Sequence, residues 1–214
     1  MWLGASARLK EGAQVTKSAM TEVGSSRGTG WILTIAGVAG FLAAVILTNE
    51  KIGLLQGRLD GTFKPLSCDL NAFVSCSAVM ESEQAQILGV TNSIIGVAAF
   101  AVVMTLGVLS LAHVEFPTFV WIGMQIGVLL AACVVTWLQV ESIYVIGKLC
   151  PWCVVVWATV IPLTVIVTAR NFWAWKPTWR VSRLMNDWTA LIIAVWYVAI
   201  LSAIWFGFGS DLWA

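Results

Sequence analysis

Five stretches of the chain are apolar over lengths that matter for a lipid bilayer: residues 31–48, 87–112, 118–140, 149–169 and 188–208. About 20 apolar residues wound as a helix cross a hydrocarbon core of ~30 Å, so each stretch is read as a membrane-spanning helix. The first is slightly short and the second slightly long, which places the early residues of the second in the headgroup layer. Polar segments separate them. These are a tail over 1–30, a long loop over 49–86, the short connection "LAHVEFPT", a basic loop over 170–187 and a brief C-terminus after the fifth helix. The pattern predicts an all-α integral membrane protein with five crossings.

Composition agrees. Of 214 residues, 59% are hydrophobic and 11% charged, whereas soluble domains carry about 25% charged residues. So few charges cannot cover a water-facing surface. The net charge of +1 comes with no basic stripe, which excludes a nucleic-acid partner. Thirteen tryptophans fit a chain with two lipid interfaces. The first thirty residues are polar, small and mixed in charge, so a disordered tail is expected there rather than a cleavable signal peptide.

Basic residues fix an orientation. One side collects Arg8, Lys10, Lys17 and Arg27 with Arg170, Lys176, Arg180 and Arg183. The other has Lys51, Arg58, Lys64 and Lys148 among Glu50, Asp60, Asp69, Glu81 and Glu83. Positive residues favour the cytoplasmic face, so the N-terminus is expected inside. The 49–86 loop, the head of the fourth helix and the C-terminus are expected outside, where thiols oxidise. The stretch "RNFWAWKPTWR" reads as an interfacial anchor.

Four of the five cysteines then fall on the outer side: Cys68 and Cys76 in the loop, Cys150 and Cys153 in "KLCPWCVVVW". The fifth, Cys133, is mid-membrane and reads as helix packing. One C-x-x-C plus a pair eight apart is poor spacing for structural zinc, and the single histidine, His113, lies on the opposite side. A plain structural disulfide is reasonable for Cys68–Cys76. It is weak for Cys150–Cys153, because a ring within one helical turn removes little unfolded-state entropy. That pair has the marks of reactivity instead. A helix N-terminus stabilises a thiolate, Pro151 suits the first helical position, and Lys148 adds positive charge nearby. Cys153 lies about 4.5 Å deeper at 1.5 Å per residue, so one sulfur can face the loop and the other the apolar interior. Two other readings stay open: a metal-handling membrane protein using C-x-x-C, and a scaffold with a stapled loop.

The loop "CDLNAFVSCSAVMES", the "TNSIIG" that opens the second helix and "CPWC" together resemble the vitamin K epoxide reductase family in its bacterial form, over residues 31 to 169. The resemblance implies a four-helix bundle around a quinone, capped by the cysteine-bearing loop, in a bacterial inner (plasma) membrane. Its bacterial members are quinone-linked disulfide generators. By this likeness Cys68 and Cys76 exchange disulfides with a DsbA-like thioredoxin-fold partner. Cys150 and Cys153 form the active-site pair: Cys150 enters a mixed disulfide with a loop cysteine, which one being undecided, and Cys153 faces the quinone. The quinone itself, menaquinone or ubiquinone, is not specified.

The likeness also matches Asn92 to an asparagine that hydrogen-bonds a quinone oxygen, with helix-to-helix bonding as the other reading. Ser82 matches a serine near the loop pair, or else caps a short helix "ESEQAQIL". Four residues past Cys153, animal members commonly have a tyrosine that hydrogen-bonds the quinone. Here Trp157 offers only an indole N–H, which favours simple quinone reduction over epoxide chemistry. Many bacterial relatives carry a fused thioredoxin-like domain after a fifth helix. This sequence ends at Ala214, so a separate partner is expected. Gly96, Ala98, Ala99, Ala131 and Ala132 are expected to allow close helix approach. Phe100, Trp121 and Trp137 are candidate pocket aromatics, with lipid-facing packing the default for each.

Overall fold

The computed structural model describes residues 27–62, 66, 68–69, 73–82, 86–87 and 90–209. Its elements are α1 (Arg27–Leu59), α2 (Cys76–Glu81), β1 (Gln86–Ile87), β2 (Val90–Thr91), α3 (Asn92–Leu111), α4 (Thr118–Val140), α5 (Pro151–Trp175), α6 (Arg180–Asp187) and α7 (Thr189–Phe208). A π-helical turn, Glu141–Ile146, continues α4. Helices α1, α3, α4 with its π-helical turn, α5 and α7 are each long and apolar enough to cross a membrane. The chain is an all-α, multi-pass membrane protein.

The five crossings match the five apolar stretches, but their ends shift. Helix α1 begins at Arg27, inside the segment expected to be a tail, and runs to Leu59, well into the expected loop. At 1.5 Å per residue its 33 residues extend about 50 Å, far beyond a ~30 Å core. Residues 49–59 continue because they hold strong helix formers and no proline. Near their end Arg58 pairs with Glu81 of α2 at 2.6 Å. The second crossing starts at Asn92 rather than 87, because Gln86–Ile87 and Val90–Thr91 pair as a short antiparallel hairpin. Helix α5 reaches Trp175, and residues 180–187 of the basic loop are helical. Residues 1–26 of the expected tail, and residues 210–214, lie outside the described residues.

Helix α1 packs most extensively on α3, and next on α5, which also packs on α4. Small residues set the α1–α3 approach. A Cβ on Gly37 would meet the Met104 backbone at 2.7 Å, one on Gly107 would meet Thr34 N at 2.5 Å, and one on Gly40 would strike the Phe100 ring. Such contacts drive helix association where lipid is as apolar as leucine. Gly96 takes part, lying against Ala44, and Ala132 is buried. Ala98 and Ala99 instead face outward; the close approaches are at Phe100, Met104 and Gly107. Leu33, Phe100, Met124, Val128, Val160, Leu163 and Val167 centre the core.

Candidate functional site

Consecutive spans alternate in direction, and one end of the bundle gathers the C-termini of α1, α4 and α7 with the N-termini of α3 and α5. All four loop and C-x-x-C cysteines stand there. Cys68 and Cys76 are disulfide-bonded, while Cys150 and Cys153 are free thiols.

Asp69 ties together described residues on both sides of the loop's Cys68–Cys76 segment. Its carboxylate accepts hydrogen bonds from Leu66 N (3.1 Å), Ser75 Oγ (2.8 Å) and Ser77 N (3.0 Å). Burial opposes ionisation, but the bonds from Ser77, Ser75 and Leu66 outweigh it, so the carboxyl is held below its ordinary value. Ser75 then caps α2 by accepting from Ala78 N, which leaves Cys76 as the first helical residue.

A second device brings the two cysteine segments together. Gly147 adopts φ +63, a left-handed conformation that suits glycine, and it ends the π-helical turn. The chain then runs extended through Leu149. Leu149 N donates to Phe73 O at 2.8 Å, and Ser75 N donates to Leu149 O at 3.0 Å, forming a parallel bridge between Val74 and Leu149. Leaving this bridge, the two strands deliver Cys76 and Cys150 to one point. Their Sγ atoms are 3.2 Å apart, and both side chains are fully buried.

Cys150 is the N-cap of α5, with Pro151 at the first position. Its thiol is pulled below the ordinary value first by the hydrogen bond from the Cys153 thiol and then by the backbone N–H groups of Cys153 and Trp152. Burial and the charge of Asp69 push the other way. Lys148, by contrast, points its ammonium at the Phe73 ring, 5.8 Å from the centroid.

Cys153, one turn deeper, lines a half-open cavity with about 620 Å³ of empty space, its mouth included. The wall is mainly apolar, with Leu47, Val79, Leu138 and Trp157. Polar residues on the wall include Lys51, Ser82, Asn92, Ser93 and Glu141. Ser93 Oγ and Glu141 Oε2 are buried with no hydrogen-bond partner. Buried polar atoms are normally satisfied, so two orphans in one cavity mark a place for a ligand with oxygen groups. A quinone fits this set: a flat apolar ring for the walls, two carbonyl oxygens for donors.

The fold thus brings together all seven sequence-predicted residues: Cys68, Cys76, Cys150, Cys153, Asn92, Ser82 and Trp157. Ser82 does not cap a following helix. It ends α2, donating its hydroxyl to Val79 O at 2.7 Å. Of the candidate aromatics, none reaches the cavity: Phe100 packs in the core, Trp121 sits at the far end under Arg170, and Trp137 faces outward. Cys133 is exposed on the bundle surface rather than packed between helices.

Four residues were not foreseen. Lys51, nearly buried, donates its Nζ to Met80 O at 2.5 Å; a lysine ending an apolar run reads as a snorkelling group, and only packing shows that it turns inward. Glu141 and Ser93 carried no signal beyond polarity beside a span. Asp69 did carry one, since an aspartate after a cysteine in a serine-rich loop is a turn former.

The family model described as "Vitamin K epoxide reductase family" matches residues 31–168, and the chain belongs to that family. A search of the curated proteins gave no match.

Proposed function

We propose that this family member is a thiol:quinone oxidoreductase that generates disulfides for exported proteins, with residues 31–169 as its catalytic unit. The carrying observation is the 3.2 Å between Cys76 Sγ and Cys150 Sγ, with Cys153 lining the cavity behind them. Sulfurs in contact, one of them in a disulfide and the other a thiol of lowered pKa, are arranged for thiol–disulfide exchange. The geometry favours Cys76 as the loop cysteine that pairs with Cys150.

Electrons enter from a reduced, separate DsbA-like thioredoxin-fold protein. Its thiolate attacks Cys68 Sγ, and Cys76 leaves with the bonding pair. The partner's second thiol then resolves that link and departs as a disulfide. Cys76 attacks Cys150 Sγ of an oxidised Cys150–Cys153 pair, releasing Cys153 as thiolate. Cys68 attacks Cys76, which restores the loop disulfide and leaves Cys150 and Cys153 reduced, the arrangement seen here. The Cys150–Cys153 dithiol closes to a disulfide as two electrons and two protons leave it. A bound quinone, menaquinone or ubiquinone, supplies the acceptor for both.

Asn92, Ser93 and Lys51 are the donors that would hold the quinone oxygens, and Glu141 would accept from a quinol hydroxyl. Ser82 and the buried Trp157 shape the wall; Trp157 has no phenolic proton to give, which favours quinone over epoxide as substrate. The excess of basic residues at the opposite end supports a cytoplasmic N-terminus in a bacterial plasma membrane, with the cysteine end outside.

The test is anaerobic reduction of ubiquinone and menaquinone analogues by purified protein with a reduced thioredoxin-fold donor. Turnover with at least one quinone, abolished by Cys153→Ala in a chain that still inserts, is expected. Full turnover by that variant would overturn the reading.

A further inference from the structure

Helix α7 lies beyond the region matched to the family and contributes little to the core. Leu191, Val195, Val198, Leu201 and Trp205 are each more than half exposed. Its one buried side chain is Phe208, 4% exposed, at the last turn. Specific contacts fasten this helix in place of a broad apolar stripe. Mid-helix, the Tyr197 hydroxyl donates to Ala158 O at 2.6 Å. Pro162 sits four residues on in α5 and has no N–H to offer that carbonyl, so Tyr197 satisfies a group that a bilayer would leave bare. At the cysteine end, a Cβ on Gly207 would meet Ile143 Cγ2 of the π-helical turn at 2.6 Å. There the Phe208 ring meets Phe73 edge-on, with centroids 6.4 Å apart.

Phe73 is part of the exchange apparatus. Its carbonyl accepts from Leu149 N, a rung of the bridge that carries Cys76 to Cys150. We propose that Phe208 is a positioning residue for sulfur exchange: by seating Phe73 it holds the loop's return segment on Leu149 and so sets Cys76 Sγ against Cys150 Sγ. This rests on the reading that these two sulfurs exchange. It gives the fifth helix a role, as the buttress of the cysteine loop.

The test uses no quinone, so its outcome is separable from whether any quinone is reduced. In a Cys153→Ser chain with the loop disulfide intact, the Cys150 thiolate attacks Cys76 Sγ. A Cys76–Cys150 bond forms, the Cys68–Cys76 bond breaks, and Cys68 leaves as thiolate with the bonding pair. The rate of appearance of the linked peptides is followed by mass spectrometry. Adding Phe208→Ala is expected to slow it about three- to tenfold, the scale of one edge-to-face aromatic pair. Phe208→Tyr is expected to restore it, and Leu201→Ala, on the exposed face of the same helix, to leave it unchanged. An unchanged rate with Phe208→Ala overturns the proposal. So does equal slowing by Leu201→Ala or failure of Phe208→Tyr, because either reduces the effect to general loosening of the helix. If the alanine variant does not accumulate, Phe208→Leu serves the same comparison.

Discussion

Two buried polar clusters, at opposite ends of the bundle, are finished to different degrees. At the end away from the cysteines, Asn171 Nδ2 donates to Gln125 Oε1 (2.9 Å) and Trp121 O (3.2 Å), and Gln125 Nε2 donates to Thr168 Oγ1 (2.9 Å). Arg170 donates to Asn171 Oδ1 at 2.8 Å and stacks on the Trp121 ring, 3.3 Å from its centroid. These groups satisfy one another, Arg170 Nε alone excepted, and they join α4 to α5. At the cysteine end, Ser93 and Glu141 line a cavity, their Oγ and Oε2 atoms are buried without a partner, and a thiol lies against a disulfide. A closed network locks two helices together, whereas the unfinished one beside Cys153 leaves polar atoms without partners.

The sharpest way to break this contrast is at the sulfurs. Cys153→Ala should lower quinone turnover by more than about 100-fold, below the level at which a solution dithiol competes, with insertion unchanged. Anaerobic turnover checks it. Asn171→Leu should do the reverse. Stranding the Arg170 and Gln125 partners costs about 1–3 kcal/mol, read as a lower unfolding midpoint, while turnover per folded molecule stays within twofold, roughly 0.4 kcal/mol.

Asn92→Leu should raise the quinone KM by up to about tenfold, the value of one hydrogen bond near 1.4 kcal/mol, and leave the midpoint almost unmoved. If both mutations shifted both readouts, the two clusters would not differ in kind.

The smallest effect is a pH dependence. The Asp69 carboxyl is held below its ordinary 3.8. The order it confers on the loop is therefore fully present above pH ~4 and is lost as pH falls through the depressed value. Reduction of Cys68–Cys76 by an acid-tolerant phosphine should speed up below that point. Asp69→Asn should flatten the profile and be faster throughout. An unaltered profile in the variant would remove Asp69 from the account.

Much of this was legible in the linear order of residues. The five crossings follow from apolar run length, because a bilayer admits few other solutions. The place of Cys150 at a helix N-terminus followed from the C-x-x-C and its proline. The ends of α1 and α5 were not legible, since helix propensity carries on where hydropathy stops. Nor was the inward turn of Lys51, nor the outward one of Ala98 and Ala99: an all-apolar helix has no polar face to say which side meets protein.

By itself the sequence determined the membrane class, the number of spans and the placing of four cysteines at one end of the bundle, because these depend on composition and on residues close in the chain. Only the tertiary structure decided which loop sulfur meets Cys150, which polar groups share the cavity with Cys153, and what the fifth helix touches. Those contacts join Cys76 to Cys150, Asn92 to the cavity of Cys153 and Phe73 to Phe208, residues 74, 61 and 135 positions apart, and distances of that kind are set by packing and by a backbone bridge at Leu149, which no local pattern encodes.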